Sequence, residues 1–291
     1  MWLYDFNIFY QSGKAILSGM SPYQIYDFNS PIFMALFFVP FSLLPIGFAY
    51  SIYIFMNILF AWKMLKKKII YAFLFFPFLF SLYVGQIDFL LAGIIVMGSP
   101  WLIGLALIKP QVGFVIVPWL IMNYRKYDWL KAGFSVIIFF AISFIVQPNW
   151  ITEWFSTKPE FEFFSTHASN LYWIVPLNLI QLRAKLSMIL PFVFLPLGFF
   201  FIDRKISWTF VHLFAPLTNI YSPSILLEWI GPIECLLSWL AVFLVQGNIH
   251  FGMPFFLIGI SIILREYLKL KKDNKLTLAN IFRFSKTTSK T

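Results

Sequence analysis

Residues 46–62, Ile46-Gly-Phe-Ala-Tyr-Ser-Ile-Tyr-Ile-Phe-Met-Asn-Ile-Leu-Phe-Ala-Trp62, run without a charged side chain, and Lys63, Lys66, Lys67 and Lys68 follow at once. A hydrocarbon core of ~30 Å takes ~20 helical residues to cross, so this stretch reads as a spanning helix whose lysine end faces the cytoplasm. The rest of the chain repeats the pattern. Of its 291 residues 60% are hydrophobic and 12% charged, with a mean hydropathy of +0.81, which leaves too few polar residues to coat a soluble core. The fold class expected is an all-α, polytopic integral membrane protein. Lipid offers no partner to unpaired backbone groups, and the alternating polar face of a β-barrel is absent.

The excess of 22 Lys and Arg over 12 Asp and Glu gives a formal charge of +10. These basic residues cluster at the ends of apolar runs, which is a topology signal and not a nucleic-acid surface. A single cysteine, Cys235, excludes an internal disulfide and a cysteine metal site.

Upstream of the first span, residues 5 to 19 place Phe6, Phe9, Tyr10, Ile16 and Leu17 among Asn7, Gln11 and Lys14, the pattern of an amphipathic helix on the membrane surface. Gly19 ends it and Ser21-Pro22 forces an extended exit. No apolar span precedes Asp5 in this chain, so a compact variant or a piece of a longer protein is expected. Pro31 to Leu44, cut by Pro40 and Pro45, reads as a short embedded helix.

Downstream, residues 69 to 83 return outward to Val84-Gly85-Gln86-Ile87-Asp88. Apolar pieces at 89–97, 101–108 and 111–123 follow, broken at Gly98-Ser99-Pro100 and Lys109-Pro110. A ten-residue helix covers only half the bilayer, so these are half-spans and Lys109 lies at a break. Arg125, Lys126 and Lys131 bring the chain to the cytoplasm, and residues 132 to 147 cross back. Pro148 to Asn170 is an external insertion with Glu153 and His167. Crossings at 171–182, 186–202, 206–221, 224–245 and 251–264 put Asp203-Arg204-Lys205 outside, against the positive-inside tendency, and the tail in the cytoplasm; a re-entrant 171–182 segment would reverse that at the cost of an external tail. Two units result: a membrane-embedded domain over 1–272 and a polar, loosely ordered cytoplasmic tail over 273–291. No internal repeat supports an inverted-repeat transporter.

Asp5, Tyr10, Tyr23, Asp27, Gln86, Asp88, Lys109 and His167 are the polar residues on or near the outer side. Ionisable groups at membrane depth are costly and mark functional spaces. Each also has a plain alternative: Asp5 and Asp88 as helix caps, Lys109 snorkelling to the interface, and His167 solvated.

Asp5-Phe6 with Tyr10, Gly19 with Pro22-Tyr23, Pro31-Ile32 with Pro40 and Leu44-Pro45, Gly85-Gln86, and Gly104 with Ile108-Lys109-Pro110 come in an order that resembles a known group. It is that of the polyprenyl-phosphate-sugar-dependent glycosyltransferases of the GT-C superfamily, nearest to family 87, the bacterial α-mannosyltransferase-like proteins. The likeness covers residues 1 to 131. Two departures stand out: the family's spanning helix before the aspartate is missing, and Asn29-Ser30-Pro31 replaces a Tyr-Pro-Pro-like approach to the embedded helix.

The resemblance implies a GT-C-like helical bundle in the cell membrane. It implies transfer of a hexose, mannose in the nearest family, from a polyprenyl phosphate to a lipid or glycan hydroxyl at the outer face, with inversion. Asp5 then carries over as general base, Lys109 and His167 hold the donor phosphate, and Tyr10, Tyr23, Gln86 and Asp88 contact sugar or acceptor. No metal or other cofactor is implied, and the chain has no Asp-x-Asp pair at ligand spacing. The partners are the lipid-linked sugar, the acceptor and the bilayer, with no nucleic acid, and the oligomeric state stays open. A flippase for lipid-linked saccharides and a non-catalytic GT-C-like subunit are the alternative readings.

Overall fold

The computed structural model describes residues 3–97, 99–157, 174–175, 177–215, 219–244, 252–273 and 281–282. Those residues are helical throughout most of their length, as an all-α membrane protein requires. Helix α1 (Tyr4–Leu17) ends where Gly19 takes a φ of 70°, and it crosses α2 (Ile32–Ser42) at close range. A Cβ on Gly13 would stand 2.9 Å from the carbonyl carbon of Phe38. Pro40 is carried inside α2 and does not cut it; the helix stops at Leu43, ahead of Pro45.

Among the described residues two helices are long and apolar enough to span a bilayer, α3 (Ile46–Leu65) and α8 (Lys126–Val146). Between them the chain is broken. The single crossing expected over 69–83 is instead α4 (Ile70–Leu74) and α5 (Phe76–Val84), parted by the extended Phe75 and by Pro77 in the first turn of α5. Helix α6 (Asp88–Met97) then leaves α5 at 106°, so the two form either a broken span or a re-entrant loop. Residues Pro100–Leu107 coil as a 3-10 segment, and α7 (Pro110–Asn123) starts after Lys109, whose φ of −138° marks the anticipated break. The half-spans expected from the prolines are therefore present.

The second half corrects the expected topology. Helix α10 (Ile180–Phe194) and the 3-10 turn Leu195–Phe199 lead to Ile202, whose carbonyl accepts from Trp119 Nε1 at 3.1 Å, one turn from the end of α7. Helix α11 (Arg204–Phe214) rises from there, and the 3-10 segment Ser222–Trp229 descends, so that Arg204 and Glu228 pair at the base. This is a hairpin that returns to its starting face, not the crossing expected over 206–221. Helix α12 (Pro232–Leu244) follows α4 and α5, with Cys235 Sγ 3.7 Å from the Tyr71 carbonyl and Ser238 Oγ accepting from Phe76 N. Helix α13 (Gly252–Lys272) comes back beside α11, and Lys205 meets Glu266 at 2.6 Å. The crossing expected over 171–182 lies partly outside the described residues.

One end of the bundle thus gathers Lys63–Lys68, Arg125–Lys126, Arg204–Lys205 and Arg265–Lys272. Asp203-Arg204-Lys205 stands at the same end as the other basic clusters, not opposite them, with Arg204 on Glu228 and Lys205 on Glu266. At the other end, beyond α8, helix α9 (Trp150–Ser156) packs on the loop after α1: Trp154 Nε1 donates to the Asn29 carbonyl at 3.0 Å. Ile281 and Phe282, from the tail, pair with Ile202 and Phe201.

In a Cys235→Ser background, Asp203→Cys and Lys271→Cys are expected to react with an impermeant maleimide from one side of sealed vesicles, and Ser156→Cys from the other. Labelling of Asp203→Cys from the Ser156 side would restore the discarded topology.

Candidate active site

Gly85 is the pivot of the site. Its φ of 85° suits glycine alone, and a Cβ there would lie 2.8 Å from the backbone nitrogen of Phe6. The bend between α5 and α6 can therefore lie against the first turn of α1. Leu3 N donates to the Tyr83 carbonyl at 3.1 Å, and the Phe6 ring packs on Tyr50 and Tyr53 of α3. Asp5 is brought to Gln86 as a result.

Gln86 Nε2 donates to Asp5 Oδ2 at 2.7 Å, and Lys109 Nζ donates to Gln86 Oε1 at 2.7 Å. The same ammonium forms an ion pair with Asp88 Oδ2 and lies 4.5 Å from the ring centroid of Tyr221. Four side chains separated by up to 104 residues of sequence become one chain of contacts, Asp5 to Gln86 to Lys109 to Asp88. Asp88 is fully buried, and its Oδ1 has no hydrogen-bond partner. Neither plain alternative for the carboxylates holds. Asp5 sits within the first turn of α1, where Leu3 is the cap residue and no side-chain cap bond forms. Asp88 spends its one bonded oxygen on Lys109, whose ammonium points inward and does not snorkel.

The site lies in the half of the bundle away from the basic end. Tyr53, whose hydroxyl donates to the Gln86 carbonyl, is seven residues below Ile46, ~10 Å of helical rise. Lys109 stands above the 14 residues of α7, ~20 Å from the basic end. Asp5 is half-buried, and that burial pushes its carboxyl above the ordinary range, opposed by the Gln86 hydrogen bond and the Lys109 charge.

The other anticipated residues go elsewhere. Tyr10 is buried and its hydroxyl donates to the Leu44 carbonyl at 2.7 Å, which makes it a tie between α1 and the end of α2. Tyr23 packs on Phe28 at 5.6 Å, and burial followed by the nearby Glu153 charge pushes its hydroxyl up. Asp27 pairs with the Tyr4 hydroxyl. His167 lies outside the described residues. One residue went unnoticed in the sequence and another was noted without a partner. Tyr221, at the tip of the α11 hairpin, carries no motif, and nothing in Asn219-Ile-Tyr-Ser222 marks it. Glu153 read as an ordinary loop acid, yet Ser21 Oγ and Gln147 Nε2 both donate to it.

The sequence profile of glycosyltransferase family 87 matches residues 28–204, more than half the chain. No curated protein and no solved structure matches it. The match takes in Gln86, Asp88 and Lys109, whereas Asp5 precedes it and Tyr221 follows it.

Removing Lys109 leaves Asp88 buried without a counter-charge, the costly way to break such a pair. Lys109→Met should lower unfolding stability in detergent by ~3–5 kcal/mol. The double variant Lys109→Met with Asp88→Leu should recover most of that loss. A double variant no more stable than the single would refute the coupling.

Proposed function

We propose that this chain, which belongs to glycosyltransferase family 87 and is therefore a membrane glycosyltransferase, transfers a hexose from a polyprenyl-phosphate donor to a lipid or glycan hydroxyl. Asp5 is the general base in this reading, and the site works on the extracytoplasmic side. The observation that carries it is the Asp5–Gln86–Lys109–Asp88 array, in the half of the bundle remote from the basic clusters.

The chemistry fits the groups. An alcohol attacks an anomeric carbon only as its proton departs, and a carboxylate ~3 Å away can accept that proton. Asp5 Oδ2 is occupied by Gln86, and Oδ1 is the oxygen left to take it. Attack opposite the leaving group inverts the anomeric centre. The departing phosphate gains negative charge, which a fixed cation in a site of low dielectric stabilises. Lys109 is the cation at hand. Its ammonium has three donors: one meets Gln86, one Asp88, and the third direction faces the Tyr221 ring. A cation over a ring is held by only ~0.5–2 kcal/mol, so the phosphate takes that direction. The unpartnered Oδ1 of Asp88 accepts from a sugar hydroxyl. Mannose as the sugar rests on the family's closest resemblance alone, and His167 remains a second candidate for the phosphate on sequence grounds.

A transporter for lipid-linked saccharides would need no base. Purified protein in liposomes, given a panel of polyprenyl-phosphate hexoses and a lipid alcohol acceptor, should form glycoside with Asp5 intact and lose at least ~10²-fold in kcat with Asp5→Asn. Lys109→Ala should likewise depress kcat, and chelation of divalent ions should leave turnover intact. Because Asp5 acts ionised and its carboxyl is raised, kcat/KM should fall on acidification at a higher pH than an ordinary carboxylate gives. Full turnover by Asp5→Asn would dismiss the base.

A further inference from the structure

We infer that Gln86 is the positioning residue of Asp5, with its amide locked in the productive orientation by the Lys109 ammonium. This rests on the reading of Asp5 as base and goes beyond it, since Gln86 was expected to bind sugar.

An amide side chain has one accepting and one donating end, and either can in principle face either neighbour. An ammonium only donates and a carboxylate only accepts. With Lys109 at 2.7 Å from one end and Asp5 at 2.7 Å from the other, a flipped amide would set N–H against N–H and oxygen against oxygen. One orientation survives. It presents Nε2 to Asp5 Oδ2, which favours the ionised carboxylate, directs that oxygen away from the reaction and leaves Oδ1 for the acceptor alcohol.

The lock is itself anchored at both ends. The Gln86 main chain is fixed by its carbonyl, which accepts from the Tyr53 and Ser81 hydroxyls, and by its N–H, which donates to the Ser81 carbonyl at 2.9 Å. Lys109 is fixed by Asp88 and by the Tyr221 ring. Asp5 thus responds to a charge it does not touch. The other ionisable groups around it are Tyr4 on its own helix, Asp27 on the following loop, Tyr53 on α3, Asp88 on α6 and Tyr221 on the hairpin. Among the charged groups of the described residues, Lys109 favours the ionised form of Asp5, and Asp88 and Asp27 oppose it.

The test is the acid limb of kcat/KM in proteoliposomes. Gln86→Met keeps the bulk and removes the donor, so the limb should move up by about one pH unit. Gln86→Glu puts a second carboxylate against Asp5, and the limb should move further, by about two units or more, because two like charges share one site. KM for the donor should stay near the wild-type value in Gln86→Met. A limb unmoved in Gln86→Met, with a raised donor KM, would overturn the inference and return Gln86 to the sugar. Should Gln86→Glu fail to fold, as judged by thermal unfolding, the Met variant decides alone. Asp5→Asn in the same assay separates the two layers: if it is inactive while the Gln86 limb stays put, only the positioning role falls. If Asp5→Asn is active, the base falls and the positioning role with it.

Discussion

The contact between the first turn of α1 and Gly85 is the constraint on which the site depends. Asp5 belongs to a helix packed on α2, while Gln86, Asp88 and Lys109 belong to the broken segments around α5, α6 and α7. These two bodies come into register where the Phe6 backbone lies against a residue with no side chain and a left-handed φ. Around that point, Phe6 is wholly buried among Phe38, Phe41, Tyr50 and Tyr53. Apolar packing of the neighbouring residue brings the carboxylate within reach of Gln86, whose amide then bonds it at 2.7 Å.

Charge is separated along the bundle for two different reasons. At the basic end Lys66, Lys67, Arg265 and Lys271 are exposed, where a charge costs little. At the site a single ammonium serves Asp88 directly and Asp5 through an amide. Burying an ion pair gains little stability by itself, because desolvation cancels most of the attraction. Lys109 and Asp88 are therefore poorly explained as a staple. They fit the proposed role better, as fixed charges beside the carboxyl proposed as base.

Much of this was legible in the sequence, and the pattern of success is physical. The unbroken run at 46–62, the Gly85-Gln86 bend and the Lys109-Pro110 break are local signals, since prolines, glycines and apolar length act on the nearest turn of chain. Asp5, Gln86, Asp88 and Lys109, which the fold brings into contact, drew notice because polar groups are scarce in such a chain. What local signals could not supply was direction. Residues 206–221 have the composition of a crossing, and only the pairing of Arg204 with Glu228, 24 residues on, reveals that the chain turns back. Asp203-Arg204-Lys205 was set apart from the other basic clusters for that reason. Tyr10 and Gln86 were assigned to substrate because a hydroxyl or an amide advertises its chemistry but not its partner, and here the partners are Leu44, Asp5 and Lys109. Tyr221 offered no signal because aromatic residues are common throughout.

The broken backbone around the site has its own requirement, which explains several polar residues outside the proposed array. Each helix break in lipid frees N–H and C=O groups that water cannot reach, and each must find a partner inside the protein. Neighbouring helices supply them. Tyr50 donates to the Leu82 carbonyl at 2.5 Å, Trp239 Nε1 donates to the Leu74 carbonyl at 2.8 Å, and Ser135 Oγ accepts from Gly104 N at 2.9 Å. Ser81 and Tyr53 do the same for Gln86. An unbroken span would need none of these hydroxyls, but it would also carry Gln86, Asp88 and Lys109 past one another on straight helices. Breaking the spans lets three polar side chains converge at depth, and the serine, tyrosine and tryptophan donors and acceptors on adjacent helices make those breaks tolerable in hydrocarbon.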